Sequence, residues 1–177
     1  WWFLVYRAYC DPFNHPATES RRDFGQGWRR TGGWALEQVL VRHYGPWLEQ
    51  HGVRLFIARG DEKAALLAQL PVGDRPIEVD KVDVWLTMQS RGVQRCFGVV
   101  HVKASFAERR TDDEPMSTAL VRAGYTSPLW TMDSKSSPSA TPFNRGELGA
   151  IKARSGKDGR SAKRKDVEVD GIFSACF

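Results

Sequence analysis

The stretch VDVWLTMQSRGVQRCFGVVHVKAS, residues 82–105, decides the fold. Two apolar runs, at 81–88 and 94–105, are each long enough for a strand and are rich in strand-forming residues. A short turn at Ser90-Arg91-Gly92 separates them. Two such runs joined by a short turn that contains glycine predict a β-hairpin.

One face of the predicted hairpin carries charged side chains. Because alternate residues of a strand point to opposite faces, Asp83, His101 and Lys103 are expected on the same side. This arrangement suits hydrolysis of a phosphodiester: the carboxylate would hold a hard cation such as Mg²⁺, which polarises the phosphate and lowers the pKa of a bound water. The lysine would orient or activate that water and balance charge. A structural ion pair across the hairpin explains the same spacing, so both interpretations stay open.

Alternating helices and strands surround the hairpin. Helical spacing of apolar residues and runs of strand formers define them, with helices over 34–52, 61–70 and 113–124 and strands over 53–58 and 128–135. Gly45-Pro46 is expected to kink or divide the first helix, and Asp61 and Asp113 are expected to cap the other two. The polar segment 11–33 is expected to be a loop. This order predicts an α/β fold with a central mixed β-sheet flanked by helices.

Length and composition restrict the class of protein. A chain of 177 residues favours one domain, and 41% hydrophobic with 27% charged residues is ordinary for a soluble globular protein. No apolar run approaches the roughly 18 residues of a membrane span. Cys10, Cys96 and Cys176 lie far apart, which indicates a reducing compartment and no zinc site. The net charge of +5 permits an anionic partner.

Four motifs carry a family resemblance. The segments VDVWLT, VVHVKASFAERRTDDEPMSTAL, TMDSKS and NRGELG resemble the type II restriction endonucleases of the PD-(D/E)XK superfamily. The resemblance is strongest to the BsaWI-like branch of the group that reads CCGG or CCNGG sequences, and it covers roughly residues 34–150. It implies a PD-(D/E)XK nuclease-like core, Mg²⁺ as cofactor and double-stranded DNA as substrate. A palindrome read by two sites further implies a homodimer. The resemblance also implies a location in the cytoplasm of a bacterial or archaeal cell, without a membrane partner.

The same resemblance implies the catalytic residues. Its catalytic aspartate and lysine match Asp83 and Lys103, with Asp83 also a metal ligand. The acid that usually stands two residues before the lysine is replaced by His101, and relatives with this change supply the acid from the following helix. There Asp113 is the candidate catalytic acid, and Asp112 and Glu114 are candidate metal ligands. A role for Asp113 as a helix cap alone stays open.

Two weaker candidates lie elsewhere in the chain. Glu37 lies on the apolar stripe of the first predicted helix, where many superfamily members carry a glutamate that helps to hold the metal. A salt bridge at the edge of the core is the alternative. Asp133-Ser134-Lys135 is a second DXK motif: it could supply the catalytic pair or place Lys135 against DNA. A strand that ends in two charges is its ordinary explanation.

The residues Glu108, Arg109 and Arg110 follow the catalytic strand closely. In the resembling group an Arg/acid/Arg cluster at this place contacts G·C pairs. Arginine pairs bidentately with guanine O6 and N7, and a carboxylate accepts from cytosine N4. A salt bridge within the loop is the alternative. The basic tract 151–166 either follows DNA phosphates or is a solvated loop.

The sequence therefore predicts a Mg²⁺-dependent type II restriction endonuclease that hydrolyses double-stranded DNA at a short palindrome with a CCGG-type core. Two alternatives are a DNA-binding protein that has lost catalysis, with His101 marking the lost acid, and a repair nuclease without sequence preference. The chain 1–177 is predicted to be one nuclease domain, a fragment of a longer protein, with its core at 34–150.

Overall fold

The computed structural model describes residues 2–10, 21–73, 77–103, 110–131 and 171–177. Its helices are α1 (Trp2–Cys10), α2 (Arg21–Gln50), α3 (Asp61–Leu67) and α4 (Arg110–Arg122). Its strands are β1 (Val53–Phe56), β2 (Val84–Ser90), β3 (Val93–Lys103) and β4 (Leu129–Thr131). A 3₁₀ turn at Val79–Lys81 precedes β2. The described strands form one sheet in the order β1-β2-β3-β4.

The sheet is mixed, as the sequence predicts. β1 pairs with β2 and β2 with β3 in antiparallel fashion, whereas β3 and β4 are parallel. The β2–β3 pair is the predicted hairpin. Its turn residues Arg91 and Gly92 have φ angles of 53° and 78°, and two successive positive φ angles match the twist of the flanking strands. The α/β class and the hairpin are therefore confirmed.

Each face of the sheet covers an apolar cluster. One cluster joins α2 to the sheet and contains Leu36, Leu40, Leu55, Val84, Leu86, Val100 and Val102. The other lies on the opposite face beneath α3 and α4, and its members include Leu66, Trp85, Val99, Met116 and Leu120. Neighbouring residues of β2 and β3 thus alternate between the clusters, as the period of a strand requires.

The chain leaves α4 and returns alongside β3. Gly124 has a φ of 85° and ends the helix, with Tyr125 N donating to Leu120 O at 2.9 Å in the pattern of a Schellman cap. The chain then hydrogen-bonds to β3, since Val99 N donates to Thr126 O at 3.0 Å. A Cβ at Gly98 would collide with the Thr126 carbonyl, so this close approach requires glycine.

The segment 171–177 lies along the other edge of β4. Leu129 N donates to Ala175 O at 2.9 Å, and Phe177 N donates to Leu129 O at 3.0 Å. Phe173 is buried against Leu129. These contacts pair backbone groups of β4 that a bare sheet edge leaves open.

Helix α2 differs from its prediction in length and continuity. It begins at Arg21, so residues 21–33 are helical and not a loop, and it continues through Pro46 without division. One of the glycines that indicated a loop has a packing role, because a Cβ at Gly27 would collide with the Tyr9 hydroxyl of α1. Residues 11–20 lie outside the described part of the chain.

The predicted caps of α3 and α4 are also wrong. Gly60 occupies the N-cap of α3 without a side-chain cap hydrogen bond, and Asp61 is the first helical residue. Asp113 lies inside α4, which begins three residues earlier at Arg110. Its side chain is therefore free of the capping role and contacts the sheet instead. No helix within the described residues is long and apolar enough to cross a membrane.

Candidate active site

Three charged side chains meet at the end of the hairpin farthest from its turn. Asp83 precedes β2, Lys103 is the last residue of β3, and Asp113 lies near the start of α4. The Lys103 ammonium donates a hydrogen bond to Asp83 Oδ2 at 2.8 Å and forms an ion pair with Asp113 Oδ2 at 2.9 Å. The structure thus brings together three of the residues that the sequence singled out.

The backbone of β3 fixes the Asp83 carboxylate. Its Oδ2 atom accepts from Val102 N at 2.9 Å as well as from Lys103 Nζ at 2.8 Å. One oxygen thus takes both bonds from consecutive residues of the neighbouring strand. The backbone N–H of Val102 therefore helps to fix the position of the Asp83 carboxylate, in addition to the Lys103 side chain.

Burial and charge act against each other in this cluster. The side chains of Asp83, Lys103 and Asp113 are 17%, 13% and 5% exposed. Burial by itself lowers the pKa of Lys103, but the charges of Asp83 and Asp113 outweigh it and raise that pKa above its usual range. Burial by itself raises the pKa of Asp113, but the polar contact with His101 and the charge of Lys103 lower it. Lys103 and Asp113 are therefore both charged at neutral pH.

Glu37 lies close enough to Asp83 and Lys103 for their charges to shift its pKa. It belongs to α2, which covers the face of the sheet opposite α4, and it is half-buried. Burial and the negative charge of Asp83 raise the pKa of Glu37 to about 7, while Lys103 and Lys63 act in the opposite direction. The charges of Asp83 and Lys103 thus both act on the Glu37 carboxyl group.

His101 lies in the interior of the protein and does not take the place of a metal-binding acid. Its side chain is 0% exposed, with Nδ1 3.6 Å from Asp113 Oδ2. At that length the pair is an electrostatic contact and not a hydrogen bond. The other ring nitrogen, Nε2, lies 2.9 Å from Ser127 Oγ. Ser127 Oγ in turn lies 2.8 Å from Ser117 Oγ, which donates to the Ile172 carbonyl at 2.7 Å.

Comparison with known proteins identifies a relative of this chain. The chain is 38% identical over 185 residues to the type II restriction enzyme AgeI of Thalassovita gelatinovora, an alignment that covers 100% of this chain and 62% of AgeI. The chain is a homologue of this type II restriction enzyme. The resemblance that its motifs indicate is therefore confirmed. The chain spans less than two thirds of the length of this curated relative. No protein-family profile matches it.

Solved structures of restriction endonucleases share the fold. The crystal structure of a specific AgeI–DNA complex matches with a TM-score of 0.78 at 37% identity, over 99% of this chain and 61% of that one. The crystal structure of a pre-specific BsaWI–DNA complex matches with a TM-score of 0.51 at 16% identity, over 73% of this chain and 50% of that one; it supports the fold alone. The mixed sheet with flanking helices is thus the predicted restriction-endonuclease core.

Several predicted site residues of this restriction-endonuclease homologue lie outside the described residues. They are Glu108, Arg109, Asp133, Lys135 and the basic tract 151–166. Arg110 and Asp112 belong to the backbone of α4, but their side chains are not among those described. Glu114 is half-buried beside Asp113. The roles assigned to these residues stay predictions.

The donor set of the cluster suits a hard cation. Within the described part of the chain no group of three His, Cys, Asp or Glu side chains surrounds a common metal position. The oxygens of Asp83 and Asp113 nevertheless converge on one positive charge, the Lys103 ammonium. Mg²⁺ takes one or two carboxylates and keeps several waters, so a pair of converging carboxylates fits it and a complete protein cage is not required.

The sequence prediction missed the partners of His101. Ser117 and Ser127 are both 0% exposed, and the third partner, Ile172, contributes only its backbone carbonyl. A serine next to the apolar residues Met116 and Leu120 of α4 could have signalled Ser117, because a buried hydroxyl requires a partner. Nothing in the sequence points to the backbone of Ile172.

Proposed function

We propose that this chain forms the catalytic core of a type II restriction endonuclease, which hydrolyses phosphodiester bonds of double-stranded DNA with Mg²⁺ as cofactor. The observation that carries the proposal is the buried cluster in which Lys103 contacts both Asp83 and Asp113. Buried ionisable groups whose pKa values are shifted by specific charge partners are typical of active sites. The homology to a type II restriction enzyme supplies the reaction class.

Asp83 and Asp113 are the proposed metal-binding pair. Bound Mg²⁺ would polarise the phosphate and lower the pKa of a coordinated water. Asp113 supplies the acid that the superfamily otherwise carries at the position of His101, because its carboxylate reaches Lys103 at 2.9 Å. Glu37, Asp112 and Glu114 are proposed as further contributors. The raised pKa of Glu37 supports its inclusion, since it reflects burial first and then the negative charge of the nearby Asp83.

Lys103 is proposed to act as a cation. Its pKa is raised by the two carboxylates, so the ammonium keeps its proton at neutral pH and is a poor base. It can orient a phosphate oxygen or a water and stabilise negative charge that develops on the phosphate. The water-activating role that the sequence left open is therefore less suited to Lys103 than charge balance.

Recognition of DNA is proposed to follow the sequence prediction. Glu108, Arg109 and Arg110 lie between Lys103 and Asp113 in the chain, so a short connection links them to both catalytic candidates. We infer that they read G·C pairs of a palindrome with a CCGG-type core and that Lys135 contacts the backbone. A palindrome favours a homodimer of this single nuclease domain, acting in the cytoplasm.

Digestion of plasmid DNA tests the proposal. Incubation with Mg²⁺ should give discrete bands, and EDTA should abolish them; run-off sequencing of the ends then gives the site and the cut position. A smear would indicate a nuclease without sequence preference. Absence of cleavage together with DNA binding would indicate a binding protein that has lost catalysis, an alternative that the Asp113–Lys103 contact disfavours.

A further inference from the structure

The two proposed metal-binding carboxylates are held by different parts of the fold. Asp83 is fixed by the sheet, because Val102 N of β3 donates to its Oδ2 at 2.9 Å. Asp113 belongs to α4, so its distance from Asp83 depends on where that helix lies against the sheet. Met116 and Leu120 pack α4 onto the sheet, but apolar contacts are not directional. A hydrogen bond from α4 to its surroundings would fix the helix more closely.

The side chain of Ser117 makes such a contact. It is 0% exposed, and its hydroxyl donates to the Ile172 carbonyl at 2.7 Å. Because its one proton is then used, Ser117 Oγ accepts from Ser127 Oγ at 2.8 Å. Hydrogen bonds require a defined distance and angle, so a buried hydroxyl with two partners allows little movement. Ser117 thus joins α4 to the chain just before β4 and to the segment 171–177.

The polar contacts continue from Ser127 to the strand that carries Lys103. Ser127 is also 0% exposed, and its Oγ lies 2.9 Å from Nε2 of His101. His101 lies two residues before Lys103 on β3. The line from Ser117 through Ser127 to His101 therefore connects α4 to β3 close to the point where Lys103 contacts Asp113.

Ser117 lies one helical turn after Asp113. Residues four positions apart are neighbours on one face of a helix, and the N–H of the later residue bonds to the carbonyl of the earlier one. Pro115 lies between them, inside the helix, and lacks an N–H group. The turn that carries Asp113 consequently has one intrahelical hydrogen bond fewer. Its position therefore depends more on what holds the helix from outside.

We propose that Ser117 is a positioning residue: through Ser127 and Ile172 it fixes α4 against the sheet, so that the carboxylates of Asp113 and Asp83 converge on one cation. This inference rests on the proposed function, because it gives the buried serines a part in metal binding. Loss of a residue that orients metal ligands lowers metal affinity or activity by about 10–100-fold. A misplacement of about 1 Å can by itself lower a rate by about 100-fold.

Removal of the hydroxyl tests the proposal. At low Mg²⁺, Ser117→Ala should lower the single-turnover rate of cleavage about 10–100-fold, and the Mg²⁺ concentration for half-maximal rate should rise by a similar factor. Saturating Mg²⁺ should restore most of the rate, because mass action offsets a weakened metal site. DNA binding in saturating Ca²⁺ should be unchanged. Ser117→Cys, which keeps a weak donor of similar size, should shift the Mg²⁺ dependence less than Ser117→Ala, and it provides the test if Ser117→Ala does not fold.

A buried hydroxyl outside the site provides the matched control. Thr87 is 0% exposed, and its hydroxyl accepts from Gln94 Nε2 at 2.8 Å, on the part of β2 nearer the turn. Thr87→Val should lower the thermal midpoint and leave the Mg²⁺ dependence unchanged. An equal shift of the Mg²⁺ dependence in Thr87→Val and Ser117→Ala would overturn the proposal, since loss of stability would then explain both. An unchanged Mg²⁺ dependence in folded Ser117→Ala would overturn it as well.

Binding of Mn²⁺ gives a readout that requires no cleavage. Mn²⁺ accepts the same carboxylate and water ligands as Mg²⁺, and electron paramagnetic resonance measures the free ion. Ser117→Ala should raise the dissociation constant of Mn²⁺ about 10-fold, and Thr87→Val should not. A wild-type protein that binds Mn²⁺ with this difference but cleaves no DNA would reject the proposed function and keep the positioning role. A wild-type protein that cleaves DNA, with equal Mn²⁺ affinity in both variants, would reject the positioning role alone.

Discussion

The two ends of the β2–β3 hairpin both carry charged residues and place them in opposite surroundings. At the turn, Arg91 and Arg95 are exposed, so water satisfies their charges. At the far end, Asp83 and Lys103 are 17% and 13% exposed and satisfy each other at 2.8 Å. Both ends belong to the same two strands, with the same alternation of side chains between the faces. They differ in whether water or protein surrounds their charges.

This difference separates charges that are ordinary on a protein surface from charges that require a functional explanation. Exposed arginines beside a turn are an ordinary part of a soluble surface. A buried ion pair is weak evidence for stability, since apolar residues of similar volume often do as well. The retention of Asp83, Lys103 and Asp113 together at one buried end is thus better explained by chemistry than by stability.

The largest expected effect comes from the far end of the hairpin. Asp83→Ala and Lys103→Ala should abolish cleavage, a loss of at least about 1,000-fold, because each removes a charge that the transition state needs. DNA binding in Ca²⁺, measured by fluorescence anisotropy, should survive. Arg95→Ala at the turn end should leave both unchanged. Retained turnover in either site variant would move the active site to Asp133 and Lys135.

The helix that follows the hairpin offers the next largest effect. Asp112→Asn, Asp113→Asn and Glu114→Gln, tested singly, should reveal one collapse in activity, of at least about 100-fold, at Asp113. The reason is that Asp113 contacts Lys103 at 2.9 Å. Circular dichroism checks that each variant folds. Three fully active variants would refute the replacement of the missing acid by this helix and would point to Glu37.

The segment between Lys103 and α4 extends the comparison to charges with a proposed role in reading DNA. Arg109→Ala and Arg110→Ala should each weaken specific binding by about 1–3 kcal/mol and non-specific binding much less. Glu108→Gln should do likewise or relax the choice at a C·G pair. Binding to cognate and scrambled duplexes over a salt series measures both. Equal losses on the two duplexes would mean that these residues only position the DNA.

The smallest effect concerns the stability cost of burying Glu37 near Asp83. The pKa of Glu37 is raised from 4.5 to about 7 in the folded protein, so the folded state binds this proton more tightly than the unfolded chain does. The free energy of unfolding should therefore fall as pH rises from about 4.5 to about 7 and then level off.

The variant Glu37→Gln removes that charge. It should raise the thermal midpoint at pH 8 by roughly 2–4 °C, a small effect because solvent screens a half-buried group, and the gain should vanish at pH 4. Glu49→Gln, at an exposed position of the same helix, is the control and should change nothing. A gain that is independent of pH would rule out the electrostatic cause.

The sequence could predict the features that depend on short-range pattern. Alternation of side chains placed Asp83 and Lys103 on one face, and the Arg91-Gly92 turn fixed the pairing of their strands. Asp113 was a candidate because the resemblance implies that relatives without the usual acid supply it from the helix after the catalytic strand, although its capping role was wrong. These features follow from spacing within one hairpin and the helix after it, where few alternative arrangements exist.

Features that depend on distant contacts were beyond the sequence. Residues 21–33 are rich in glycine, which predicted a loop, and the close packing of Tyr9 against Gly27 within this helix is a tertiary contact that the sequence does not reveal. The polar line from His101 ends at Ile172, far along the chain, on a segment that pairs with β4. The partner of a buried side chain is set by tertiary structure, so no local pattern announces it.

Under the proposed function, the contact of Lys103 with two carboxylates has a consequence for how DNA would approach. The chain as a whole has a net charge of +5, so long-range attraction draws the phosphate backbone towards it. Locally, two aspartates and one lysine leave an excess of negative charge, which repels the scissile phosphate at short range. Attraction and repulsion thus act at different distances: the duplex can be held while the bond to be broken is kept off. A divalent cation held by Asp83 and Asp113, as the proposed function requires, would reverse the local sign, so that capture and cleavage could both take place.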